Sequence, residues 1–108
     1  MVERFVKIAL AQSHAIDLEK IGKYNRLFDR MTEVMGEFLV RPIEQRRALM
    51  KLYAHPDPQV RYMAAFATKD LDRDAARRVF EILIERNEYP QAADARGIIR
   101  RWDGESLI

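Results

Sequence analysis

The 108-residue chain contains no cysteine. That excludes disulfides, thiolate metal sites and cysteine nucleophiles, and it is compatible with a reducing compartment. Histidine occurs only as His14 and His55, and serine only as Ser13 and Ser106. A hydrolytic triad needs a nucleophile, a base and an orienting acid brought together, and little here could supply one. Ser13 and His14 are sequence neighbours, and on a helix such side chains diverge by about 100°. There is no glycine-rich phosphate loop. Asp70, Asp72 and Asp74 are the nearest approach to an acidic metal cluster, but they lack the glycine and distal glutamate of a calcium loop, so helix capping is the reading they favour. No run approaches the roughly 18 apolar residues of a membrane span. Met1-Val2-Glu3-Arg4-Phe5 has no basic stretch leading into an apolar one, so no signal peptide is expected. The sequence thus points to a cytoplasmic protein with no catalytic residue, no metal and no cofactor.

Charge of one sign is also lacking, with 19 basic against 17 acidic residues. The small positive bias falls in residues 41–101, which hold 13 basic and 9 acidic groups. A field of that strength does not demand nucleic acid. Apolar residues make up 48% of the chain, enough for one domain with one core.

Glycine and proline, four of each, punctuate helical patterns. Phe5, Ile8, Ala9, Gln12 and Ile16 recur every three or four residues, the period of an amphipathic helix, and a break is expected near Asp17–Lys20. Ile21, Tyr24, Leu27, Phe28, Met31, Val34, Met35 and Phe38 form the most regular stripe, predicting a second and central helix, with a kink or early end allowed at Gly36. Arg41-Pro42 ends it. A third helix is expected from Pro42, as its first residue, through Ile43, Leu49, Met50 and Tyr53 to about Ala54. Asp57-Pro58 supplies a cap and a first-turn proline for a fourth, bearing Val60, Met63, Ala64 and Ala67. Asp70 or Asp72 opens a fifth, with Ala76, Val79, Phe80 and Leu83 inward. Tyr89-Pro90 begins a sixth, with Ala92, Ala95, Ile99 and Trp102 inward and Gly104 as a left-handed terminator.

The chain also resembles itself. Arg46-Arg47-Ala48-Leu49 lies over Arg77-Arg78-Val79-Phe80 at an offset of 31 residues, and Pro58 lies over Pro90 at an offset of 32. Helix pairs repeating at that period are the signature of an α-solenoid. His55-Pro56-Asp57-Pro58-Gln59-Val60-Arg61-Tyr62-Met63-Ala64-Ala65 resembles the turn and second helix of a HEAT-like repeat, in which the Asp and Arg are structural. With Lys23-Tyr24-Asn25-Arg26-Leu27-Phe28-Asp29 and Gln45-Arg46-Arg47-Ala48-Leu49, the whole chain is similar to a bacterial family called domain of unknown function twenty-nineteen. That resemblance implies a HEAT-like fold and supplies no activity. The expected architecture is all-α, a short right-handed α-solenoid of about three antiparallel helix pairs (HEAT/armadillo-like). It forms a single domain over residues 1–108, with a capping pair at 1–41 and repeat pairs at 42–70 and 71–104.

Buried positions are expected to include Phe5, Ile8, Leu27, Phe28, Met31, Val60, Met63, Ala64, Val79, Phe80, Leu83 and Ile99. Tyr62 and Phe66 point away from the inward stripe of the fourth helix, as second-side burial or as an interface anchor. The 32-residue offset sets Asp94 beside Tyr62, Ile98 beside Phe66 and Arg101 beside Lys69. Tyr62, Phe66, Lys69, Ile98 and Arg101 would then form a protein-binding strip. Arg46, Arg47, Arg77 and Arg78 form either a solvated, ion-paired face or a basic ridge for phosphates. The favoured function is a non-catalytic protein-binding adaptor or regulatory domain, with a protein as partner and no membrane. The alternatives are a nucleic-acid binder using the arginine ridge and a small immunity or regulatory partner of a toxin.

Overall fold

The computed structural model describes residues 1–105, so Ser106 and the end of the expected domain lie outside the described residues. These residues form α1 (Val2–Asp17), α2 (Ile21–Leu39), α3 (Ile43–Arg47) tightening into a 3-10 segment over Ala48–Ala54, α4 (Pro58–Thr68), α5 (Arg73–Glu85) and α6 (Gln91–Glu105). There is no strand among the described residues. Each helix packs on its neighbour in sequence: α1 on α2, the 3-10 segment on α4, and α5 on α6, while α4 also contacts α1, α5 and α6.

The breaks follow local chemistry. The chain leaves α1 through Glu19 and leaves α5 through Asn87, both in the left-handed region at φ 55° and 54°. Asp57 Oδ1 accepts from the amides of Gln59 at 2.9 Å and Val60 at 3.2 Å, capping α4, and Pro58 occupies the first turn, where its missing N–H costs nothing. Asp57 Oδ2 accepts from Ser13 Oγ at 2.9 Å, tying the cap to α1. The Asp57 amide donates to His55 Nδ1 at 3.0 Å, which makes that nitrogen an acceptor and the ring a turn component. Asp57→Ala is therefore expected to cost about 1–2 kcal/mol in chemical denaturation, whereas Asp57→Asn should largely keep the cap. Asp72 caps α5 through the Ala75 amide at 3.0 Å.

The helix at the centre is α4, not α2. Gln59, Val60, Arg61, Met63, Ala64, Ala65 and Thr68 are all buried, because small residues at 64 and 65 let neighbours approach on two sides. One core cluster joins Phe5 and Ile8 of α1, Met31, Val34 and Phe38 of α2, Leu49, and Val60, Met63 and Ala64. A second joins Ala65 to Ala76, Val79, Phe80 and Leu83 of α5 and Ala95 and Ile98 of α6. Through the middle runs a chain of buried amides: Gln91 Nε2 donates to Gln59 Oε1 at 2.8 Å, and Gln59 Nε2 donates to Gln12 Oε1 at 3.2 Å.

Further expectations need correction. Phe28 is 50% exposed, because α4 does not cover that side of α2. In α6 the inward residue is Ile98, with Ile99 only partly buried, a shift of one position in a run of two isoleucines. Gly104 is helical, and no glycine among the described residues has a positive φ. Gly36 neither ends nor interrupts α2.

Candidate interaction groove

The side of α2 that α4 leaves uncovered is one wall of a groove. A depression of about 510 Å³ is lined by Tyr24, Phe28 and Met35 of α2, Tyr62 and Phe66 of α4, and Asp94 of α6. A second, of about 670 Å³, continues past the shared residues Met35 and Phe66 to Leu39, Lys69, Arg73 and Trp102. The second stripe of α2 thus faces open space: Ile21 is 74% and Leu39 66% exposed.

Tyr62 and Phe66 are neither fully core nor fully surface. Both are half-buried and pack against both core clusters. Their rings stack with centroids 6.2 Å apart, and the other neighbour of Tyr62 is Phe80, at 5.8 Å. Burial first, and then the charge of Asp94, push the Tyr62 hydroxyl up to about 12. Tyr24 is raised for the same two reasons, with the Gln59 amide drawing it partly back. Lys69 folds over the Phe66 ring, its Nζ 4.0 Å from the centroid, and Arg73 lies 4.6 Å over Trp102. Trp102 in turn touches Phe80 at 5.8 Å, so groove and core share a wall.

Of the residues predicted for the strip, Tyr62, Phe66 and Lys69 do line these depressions, and Arg101 is exposed and close enough to Tyr62 to act on its ionisation. Ile98 contributes no surface: it is 6% exposed and belongs to the second core cluster. The sequence-based strip missed Tyr24, Phe28 and Met35, which supply the opposite wall.

Most of the expected arginine ridge is engaged. Arg46 reaches Asp70 at 2.6 Å and the Ala67 carbonyl at 3.3 Å, and its hydrogen bond holds the Asp70 carboxyl below the usual range. Arg77 pairs with Asp103 at 2.8 Å, and Arg78 with Glu85 at 3.0 Å. Arg47 is exposed. The Arg77 and Arg78 pairs sit in solvent, where each contributes little to stability, whereas the Arg46 side chain is largely covered; all three consume donors a phosphate would need. Among the described residues no three acidic or histidine side chains gather as a metal site, and no helix is long and apolar enough to cross a membrane.

Residues 1–103 match a family described as "Domain of unknown function (DUF2019)". The crystal structure of the protein RPA1889 from Rhodopseudomonas palustris CGA009 is similar, with a TM-score of 0.90 and 34% identity over 95% of this chain and 85% of that one. No functionally curated protein matches the chain.

Proposed function

The chain belongs to the DUF2019 family, and on that footing we propose that it is a non-catalytic, cytoplasmic module of HEAT-like construction that binds a partner protein in the groove between α2, α4 and α6. In a short right-handed stack of three helix pairs, these would be the second helices of each pair, the helices that line the inner face of a solenoid. The observation that carries the reading is the exposed apolar stripe of α2 facing half-buried aromatics across open space. Monomeric proteins seldom leave such a patch in water, and large aromatics beside a polar rim are what binding hot spots are made of. The ion-paired arginines favour protein over nucleic acid.

A photo-crosslinking residue in place of Asn25, which is exposed and lines the groove, is expected to trap a discrete heterologous protein in the producing cell. The same residue in place of Arg47 should trap none. Adducts only from position 47 would move the site to the arginine face. An adduct of twice the chain's own mass would mean a second copy of the chain and would contradict a heterologous partner.

A further inference from the structure

A groove that recognised only apolar side chains would have no use for a carboxylate, yet Asp94 stands among its aromatic residues. It lies in the first turn of α6, where the helix dipole favours a negative charge. The residue is exposed at the groove's edge; partial desolvation pushes its carboxyl up, and it has no ion-pair partner among the described residues. The same negative charge raises the hydroxyls of both Tyr24 and Tyr62, so it is electrostatically in touch with α2 and α4 as well as its own helix.

Aromatic rings carry a negative face, and a cation over that face is attracted more strongly as water is excluded. This groove already shows the effect once, in Lys69 over Phe66. At the other end Tyr24, Phe28 and Tyr62 line the same depression as a carboxylate that has no ion-pair partner among the described residues. We propose that this end of the groove, formed by Tyr24, Phe28, Tyr62 and Asp94, is a receptor for an arginine side chain of the partner protein. The inference rests on the protein-binding reading above and specifies its chemistry. A guanidinium suits the site better than an ammonium, because its flat face stacks on a ring while its edge donates two parallel hydrogen bonds to one carboxylate, and because it is more weakly hydrated.

The test is an NMR titration of the intact protein with a short blocked peptide carrying one arginine between leucines, beside its citrulline counterpart, which keeps the shape and loses the charge. The arginine peptide is expected to shift the resonances of Tyr24, Phe28, Tyr62 and Asp94 saturably, with the citrulline peptide at least about tenfold weaker. Asp94→Asn should erase that preference while leaving the Tm within a few degrees of the parent, since the side chain is exposed and asparagine matches its size. Equal binding of the two peptides would overturn the proposal while leaving the groove as a docking surface. Saturable shifts elsewhere, or none from either peptide at millimolar concentration, would also overturn it. In that case crosslinking from position 25 still decides the protein-binding reading independently.

Discussion

Phe80→Ala is expected to remove about 3–5 kcal/mol from the unfolding free energy, measured by urea denaturation. The ring is fully buried on α5 and meets Tyr62 of α4 and Trp102 of α6, each at 5.8 Å between centroids. Its loss would leave a cavity where three helices converge, and the relaxed packing would reach the groove through Tyr62 and Trp102. A domain of this size has roughly 5–15 kcal/mol in all, so the variant should be marginal at 37 °C. Phe28→Ala removes the same number of atoms from a ring that is 50% exposed, and it is expected to cost no more than about 1 kcal/mol. Comparable losses for the two variants would mean that Phe28 is core, and the groove would not exist in solution.

Breaking the Arg61–Glu88 pair should have the next largest effect. Arg61 Nη2 lies 2.5 Å from Glu88 Oε2, with the side chains 9% and 19% exposed, joining α4 to the turn that precedes α6. Removing one member strands the other charge where water cannot fully solvate it, so Glu88→Ala is expected to cost on the order of 3 kcal/mol. Among the described residues Arg61 would keep only the Pro56 carbonyl, at 3.4 Å. The double variant Arg61→Met, Glu88→Leu should recover much of that loss, since no unpaired charge remains. A double-mutant cycle measures the coupling. Additive losses would show the pair to be solvated and incidental.

The capped start of α4 was legible because Asp57-Pro58 is a local device whose donors and acceptors lie within three residues of one another. The groove was not legible, and α2 shows why. Eight apolar residues recur there at helical spacing, but the structure buries Leu27, Met31, Val34 and Phe38 and leaves Ile21 and Phe28 exposed and Tyr24 and Met35 half-covered. Both sets fall on one broad apolar arc, and only the distance of α2 from α4 decides which half is covered. The Ile98 and Ile99 ambiguity is of the same kind, since adjacent isoleucines offer two inward faces about 100° apart. By contrast, the amide chain did leave a trace: Gln59 and Gln91 are separated by the same 32 residues as Pro58 and Pro90.

The most direct test of the α2 wall as binding surface rather than core is to combine Phe28→Ser with the crosslinking residue at position 25 and to measure thermal unfolding and adduct yield on the same protein. A Tm within a few degrees of the parent, together with loss of the adduct, is the expected result. A collapse of the Tm, or an undiminished adduct in a stable protein, would contradict it.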